Sequence, residues 1–215
     1  MNQYALEKVI RRGAFSLAES LSFYWPSNGL NEIPEANQAL HVGRAFLDAG
    51  FLAFAEAHRN GDTNRRFDLL VLEPRESTLL VGEFKRVFAK TVGGLATDAE
   101  RILEFSPRTA PRLERCDIRL ESTWGLVGGT TWEPEYAEWF LDENVNAADP
   151  SGGDLDALWR LVSERDAVWG AQPLIAYRRD DGPRKGRVVE TQWFIFALFR
   201  VGQAVADGVS APRRT

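Results

Sequence analysis

The chain has 215 residues, 44% of them hydrophobic, and a formal net charge of −5 at neutral pH. This length can bury one good hydrophobic core, so we expect a single domain over residues 1–215, with its core at about 34–129 and residues 130–215 appended. The negative charge argues against a surface that is basic throughout, as in a non-specific nucleic-acid coat, although it leaves room for a local basic cleft.

The few cysteines and histidines restrict which metals the chain could bind. Its single cysteine, Cys116, cannot form an internal disulfide and fits a reducing compartment, so we expect a cytoplasmic protein. One cysteine and two histidines do not suit the usual zinc site, so any bound metal should have oxygen ligands. No signal peptide is evident, and the longest apolar run, near residues 193–201, is too short to span a bilayer. We therefore expect no membrane partner.

The first part of the chain predicts two helices and then a strand. Apolar residues at helical spacing predict a helix over residues 4–25, interrupted near Gly13. Pro34 suits the first turn of a second helix, and Gly50 suits its end. The predicted inward stripe of this second helix is Ala36, Ala39, Leu40, Gly43, Phe46 and Leu47. Residues 51–57 follow directly and predict the first strand of the core.

Two apolar runs rich in strand formers, residues 67–72 and 78–85, flank four residues of turn type and predict a β-hairpin. A four-residue loop places Glu73 opposite Thr78, and the same register places Asp68 opposite Glu83. The predicted faces are Asp68, Leu70, Leu72, Leu79, Val81, Glu83 and Lys85 on one side, and Phe67, Leu69, Val71, Leu80 and Phe84 on the other.

Both faces of this hairpin are mostly apolar, which indicates a sheet covered on both sides. Asp68 and Glu83 would repel each other there and would be costly to desolvate, and a divalent cation would offset both effects. The structural alternative is that Lys85 neutralises one carboxylate and leaves an ordinary pair at the rim of the sheet. The strand context and the facing register favour the functional interpretation.

The second half of the chain predicts alternating helices and strands. The predicted elements are a helix after Gly94, a fourth core strand at 124–129, a short helix at 134–141, a helix capped by Asp154 and running through Trp169, and strands at 173–179 and 187–201. The sequence therefore predicts an α/β protein with an extra N-terminal helix and, at the C-terminal end, a helix and a β-hairpin.

Asp68, followed on the next strand by Glu83-Phe84-Lys85, resembles the PD-(D/E)XK nuclease superfamily, which has the restriction-endonuclease-like fold. The resemblance covers roughly residues 34–129. It implies a mixed β-sheet flanked by helices, with the core order helix, three antiparallel strands, helix and a further strand. Phe67 stands where the superfamily motif has Pro, and this departure weakens the motif without removing it.

The resemblance implies a metal-dependent endo- or exonuclease that hydrolyses phosphodiester bonds. DNA is favoured over RNA as its substrate, and phage defence or DNA processing is the expected role. Asp68 and Glu83 would hold Mg²⁺ or Mn²⁺, and the backbone carbonyl of Phe84 would add a ligand. Lys85, with its pKa lowered by the metal and by partial burial, would orient or deprotonate the attacking water.

Two further acids are candidates for the same site. Glu35 lies in the first turn of the second helix, where the resemblance implies an acid that joins the metal site. An acid in a first turn is also favoured by the helix dipole alone, so both interpretations stay open. Glu56 is a further candidate ligand near the end of the first strand, and a solvated strand end is the alternative.

Basic residues at two places are candidates for contact with nucleic-acid phosphates. Arg86 and Lys90 directly follow the motif strand. A second group surrounds the predicted C-terminal turn, where two aspartates leave a local charge of +3, and consists of Arg178, Arg179, Arg184, Lys185 and Arg187. Solvated side chains are the structural alternative for both groups.

Two other functions remain open at this point. The acidic charge and the aromatic last strand also fit a catalytically silent nuclease-like fold that acts as a binding or assembly module, with a protein partner or as a homodimer. Alternatively, the motif is accidental in an unrelated α+β enzyme or scaffold, and then Asp68 and Glu83 would lie far apart.

Overall fold

The computed structural model describes residues 2–24, 33–59, 62–105, 120–141, 148–178, 186 and 188–202. The helices in this part are α1 (Gln3–Tyr24), α2 (Glu35–Asp48), α3 (Gly94–Leu103), α4 (Pro134–Leu141) and α5 (Asp154–Val162). The strands are β1 (Leu52–Arg59), β2 (Asp62–Glu73), β3 (Thr78–Arg86), β4 (Ser122–Thr131), β5 (Val168–Arg178) and β6 (Val188–Val201). The predicted α/β class is confirmed. None of the described helices is long and apolar enough to cross a bilayer.

The six strands form one mixed sheet in the order β1-β2-β3-β4-β6-β5. Strands β1, β2 and β3 are an antiparallel meander, and β4 runs parallel to β3 after a connection through α3. The hairpin of β5 and β6 continues the sheet antiparallel to β4. The predicted fourth core strand and the C-terminal hairpin are therefore confirmed.

Helices cover both faces of the sheet and enclose two apolar cores. Helices α1 and α2 pack on one face, which we call the α2 face, through residues such as Ile10 and Phe46. Helices α3, α4 and α5 pack on the other, the α3 face, through residues such as Ile102, Phe140 and Leu158. Burial on both faces explains why the central strands are apolar in nearly every position.

The register of the β2–β3 hairpin is as predicted, from Glu73 opposite Thr78 to Leu69 opposite Gly82. The predicted faces hold for Leu70, Leu72, Leu79 and Val81 on the α3 face and for Leu69, Val71, Leu80 and Phe84 on the α2 face. Phe67 is a correction, because it packs on the α3 face with its ring 5.2 Å from that of Phe105. The alternation breaks at Asp68, beyond the last β2–β3 pair.

Helix α1 is continuous through Gly13, so the predicted interruption was wrong. A Cβ at Gly13 would lie 2.7 Å from the Cα of Val42, which shows that this glycine permits close packing of α1 on α2. A glycine at a helix contact and a glycine at a helix break look the same in the sequence.

Helix α2 ends before Gly50, which has a φ of +90°, as expected for a residue that terminates a helix. Its predicted stripe was right for Ala39, Gly43 and Phe46, but Ala36, Leu40 and Leu47 are exposed. The buried stripe instead includes Gln38, Val42 and Ala45. The stripe is rotated because both α1 and the sheet contact this helix.

Helix α5 ends at Val162, and Trp169 belongs to β5, so the helix predicted through Trp169 was too long. The predicted cap was also wrong, since Asp154 is the first helical residue and does not cap it. Asp149 caps this end instead, because its Oδ2 accepts hydrogen bonds of 2.9 Å from the backbone nitrogens of Gly153 and Asp156.

Candidate functional site

Asp68 and Glu83 meet where β2 separates from β3. The paired ladder stops at Leu69 and Gly82, one residue short of the two acids. Asp68 Oδ2 accepts a hydrogen bond of 2.7 Å from the backbone nitrogen of Phe84, which would otherwise lack a strand partner. The carboxyl groups of Asp68 and Glu83 lie close enough for each to shift the pKa of the other. The predicted pair of acids is therefore assembled.

Side chains at the start of α2 form hydrogen bonds with the backbone at the end of β3. Glu35 Oε1 accepts a hydrogen bond of 3.3 Å from the backbone nitrogen of Arg86. The fully buried Gln38, one turn further along α2, donates through Nε2 to the Lys85 carbonyl and to Thr130 Oγ1, both at 3.2 Å. These contacts hold Glu35 close enough for its charge to act on Asp68 and Lys85.

Helix α3 supplies two residues that were not predicted, Asp98 and Arg101. Asp98 is 2% exposed, and its two oxygens contact Lys85 Nζ at 2.9 Å and Arg101 Nη1 at 3.0 Å. Arg101 Nη2 lies 3.1 Å from Glu83 Oε1 and donates to the Arg66 carbonyl at 3.2 Å. The one signal for Asp98 in the sequence was an acid in line with the apolar stripe of this helix.

Burial and neighbouring charge make Glu83 the more basic acid of the pair. Burial, with the charges of Asp68 and Asp98, raises the pKa of Glu83 to about 8, although Arg101 opposes the shift. Burial also raises the pKa of Asp68, against the lowering effect of the hydrogen bond from the Phe84 backbone nitrogen. At neutral pH, Glu83 is therefore mostly protonated.

The neighbours of Lys85 raise its pKa, whereas the sequence predicted a lowered pKa. Burial alone would lower the pKa of Lys85, as the sequence predicted. The hydrogen bond and charge of Asp98, with the charges of Glu35 and Glu83, outweigh burial, so the pKa lies above its ordinary value. Lys85 is therefore a stable ammonium group beside the two acids.

The remaining candidates lie around this cluster or outside the described part. Glu56, with a φ of +48°, is exposed, and its Oε2 contacts Arg66 Nη1 at 2.5 Å. Arg86 and Lys90 are exposed where the chain leaves β3 for α3. Arg179, Arg184, Lys185 and Arg187 lie outside the described residues, as does the side chain of Arg178, the last residue of β5.

The cluster offers a divalent cation few protein ligands. The described residues contain no group of three or more His, Cys, Asp or Glu arranged to hold a metal ion. Mg²⁺, however, commonly takes one or two carboxylates and keeps several waters. The paired oxygens of Asp68 and Glu83, which repel each other when both are charged, fit that smaller requirement.

The cluster thus joins Glu35 from α2, Asp68 from β2, Glu83 and Lys85 from β3, and Asp98 with Arg101 from α3. Two neighbouring carboxyl groups beside an ammonium group are suited to hold a cation or to bind a proton. Comparisons of the chain with protein-family models, with curated proteins and with solved structures return no match.

Proposed function

We propose that the chain is a Mg²⁺- or Mn²⁺-dependent nuclease with its active site at Asp68, Glu83, Lys85 and Glu35. The observation that carries this proposal is the proximity of the Asp68 and Glu83 carboxyl groups at the end of the β2–β3 ladder. Two acids at this point raise the free energy of the folded chain when both are charged, and a bound divalent cation would offset that cost.

The order of the elements supports the proposal. Helix α2, strands β1 to β3, helix α3 and strand β4 follow one another in the order that the resemblance implies for a restriction-endonuclease-like core. The Phe84 N–H points toward β2, and a strand residue directs its carbonyl to the same side as its N–H. The Phe84 carbonyl therefore faces the gap beside Asp68, as a third metal ligand would.

Hydrolysis of a phosphodiester needs an attacking water, stabilisation of charge on the phosphate, and a proton for the leaving oxygen. The bound cation would supply Lewis acidity to the phosphate and lower the pKa of a water. Lys85, held as an ammonium group by Asp98, donates hydrogen bonds to the water or to a phosphate oxygen and takes no proton. Glu35, whose charge acts on Asp68 and Lys85, would hold a second ion.

DNA is favoured over RNA as the expected substrate. Arg86 and Lys90 are exposed beside the site and would contact backbone phosphates. The net charge of −5 favours brief engagement of nucleic acid, or engagement assisted by a protein partner or a second copy of the chain, in the cytoplasm.

The proposal is tested by incubating the purified chain with plasmid, linear duplex DNA, single-stranded DNA and RNA, each with Mg²⁺, Mn²⁺ or EDTA. We expect cleavage that needs the metal. Asp68→Asn, Glu83→Gln and Lys85→Ala should each lower the rate by about 100-fold or more. Glu100→Gln, which removes an exposed acid from the same helix as Asp98, should change little.

Variants purified by the same procedure control for a contaminating nuclease. Cleavage that persists in Glu83→Ala and Lys85→Ala would remove these residues from the chemistry. The choice of substrate among the four nucleic acids then separates DNA from RNA and internal cuts from end-directed ones.

A second function is favoured by one observation, namely that Glu83 and Lys85 are already paired with Arg101 and Asp98. A site closed in this way also suits a silent nuclease-like fold that serves binding or assembly. Absence of Mn²⁺ binding in calorimetry, together with a stable homodimer or a stoichiometric complex on co-purification, would favour this second function over the first.

A further inference from the structure

Four side chains of the site form a continuous series of three ion-pair contacts between one strand and one helix. Glu83 and Lys85 are two apart on β3, and Asp98 and Arg101 are three apart on α3. These spacings place the paired side chains at similar separations, about 7 Å on a strand and about 5 to 6 Å on a helix. Lys85 contacts Asp98, Asp98 contacts Arg101, and Arg101 contacts Glu83, at 2.9, 3.0 and 3.1 Å.

The two cations of this series, Lys85 and Arg101, have different partners. Lys85 is bound to Asp98, which is almost completely buried. The two terminal nitrogens of Arg101 have different partners. Nη1 binds Asp98, whereas Nη2 binds Glu83 and the Arg66 carbonyl. One third of the Arg101 side chain is exposed. Its Nη2 arm can therefore leave Glu83 while Nη1 stays anchored on Asp98.

We propose that Arg101 is an exchangeable counter-cation of the nuclease site. It pairs with Glu83 until a divalent cation takes over that side chain, and the released arm then binds a phosphate oxygen of the substrate. This role rests on the nuclease activity proposed above. A guanidinium suits it because it can form two parallel hydrogen bonds to a phosphate and remains charged when partly desolvated.

A purely structural role for Arg101 gives the opposite result in one measurement. If Arg101 only braces Glu83, its removal loosens the carboxylate and weakens metal binding. If Arg101 competes with the metal for Glu83, its removal takes a unit positive charge away from the cation and strengthens metal binding above pH 8, where Glu83 is ionised and no proton competes. The sign of the change in Mn²⁺ affinity without nucleic acid therefore separates the two roles.

The test is calorimetric titration of Mn²⁺ above pH 8, where Glu83 is ionised before the metal binds, into the natural chain, Arg101→Ala and Arg101→Gln. We expect the dissociation constant to fall by about three- to tenfold in both variants, as suits loss of one nearby charge in a partly exposed site. Arg44→Ala is the matched control, since it also removes a helix arginine from an ion pair, with Asp48, and should leave the constant unchanged.

A second measurement addresses the phosphate contact. At saturating Mn²⁺, Arg101→Ala should raise the KM for the nucleic acid and lower kcat, and Arg101→Lys should recover part of both. Weaker Mn²⁺ binding in Arg101→Ala and Arg101→Gln overturns the proposal, and so does failure of both variants to fold, because Arg101 is then a structural brace.

The outcomes also separate this role from the nuclease activity itself. Mn²⁺ binding and cleavage by the natural chain, with weaker binding in both variants, would leave the nuclease in place and remove only the role of Arg101. Mn²⁺ binding by Arg101→Ala but not by the natural chain would support competition between Arg101 and the metal for Glu83. It would also reject the proposal that the natural chain is a nuclease. Absence of Mn²⁺ binding in all variants rejects both.

Discussion

Asp68 and Glu83 lie side by side at the point where strands β2 and β3 separate, and burial with the neighbouring charges raises the pKa of Glu83 to about 8. The Phe84 backbone nitrogen donates to Asp68 and opposes the rise in pKa that burial causes there. Glu83 is 5% exposed, lies near Asp68 and Asp98, and contacts Arg101 at 3.1 Å. Several measurable consequences follow from this arrangement.

The stability of the metal-free chain should depend on the proton of Glu83. The folded-state pKa is about 8 and the reference value is 4.5, so the unfolded chain loses this proton first as pH rises. The stabilisation is therefore complete below pH 4.5 and is lost as pH rises through about 8. Glu83→Gln, which mimics the protonated acid, should match the natural chain near pH 4.5 and exceed it by about 1 to 3 kcal/mol at pH 8.

This prediction is checked by urea unfolding in EDTA at several pH values. Glu100→Gln controls for loss of an acid on the surface and should show no such divergence. A difference between Glu83→Gln and the natural chain that stays constant from pH 5 to pH 8 would contradict the assignment of the proton to Glu83.

Metal binding should release that proton. A cation that uses Glu83 must displace the proton below pH 8, so about one proton should leave for each Mn²⁺ bound at pH 7. The affinity should fall by up to tenfold for each pH unit below 8. Titration in buffers of different ionisation enthalpy measures the proton count directly. Heats that do not depend on the buffer would show that the metal, if it binds, does not use protonated Glu83.

Asp98 should be energetically coupled to Lys85. Asp98→Asn removes the counter-ion of an ammonium group that is 28% exposed, and we expect a loss of about 1 to 3 kcal/mol in the free energy of unfolding. In a double-mutant cycle with Lys85→Met, the coupling should be about 1 kcal/mol or more. The exposed pair Arg44 and Asp48 is the matched control.

Arg44 and Asp48 have 69% and 39% of their side chains exposed, so their coupling should not exceed about 0.5 kcal/mol. Equal coupling in the two pairs would mean that burial of Asp98 adds nothing to its interaction with Lys85.

The hairpin and its acids were predictable because they depend on local geometry. A four-residue turn fixes the register of two adjacent strands, and the register fixes which side chains meet. The end of α2 at Gly50 was predictable for a similar local reason. The position of Phe67 was not, because the alternation of β2 fails only where β3 no longer pairs with it.

The supporting residues could not be predicted because they depend on how helices pack against the sheet. Gln38 is buried against the end of β3 only because α2 also packs on α1 and rotates this residue inward. Asp98 and Arg101 reach Lys85 and Glu83 only when α3 lies along β3. In the chain without metal, the pKa of Lys85 is raised by Asp98, a residue that was absent from the predicted site.

A substitution at Gly94 tests whether the space beside this residue fixes the position of the Lys85 side chain. A Cβ at this position would lie 2.6 Å from Lys85 Cε and 2.9 Å from Cδ, which is too close for either atom to stay in place. Alanine at the first residue of α3 is otherwise favourable for the helix, and the lysine side chain is flexible. Gly94→Ala should therefore change the free energy of unfolding by about 1 kcal/mol or less but move Lys85 away from Asp98.

The displacement is measured as loss of the coupling between Lys85 and Asp98 when the double-mutant cycle is repeated in the Gly94→Ala background. If the chain cleaves nucleic acid, the rate in this background should fall by about tenfold or more, because the ammonium group no longer meets the substrate at the right distance. Thr97→Ala, an exposed change on the same helix, controls for effects on α3 itself. Unchanged coupling together with full stability would show that Lys85 reaches Asp98 by another path and that Gly94 does not fix its position.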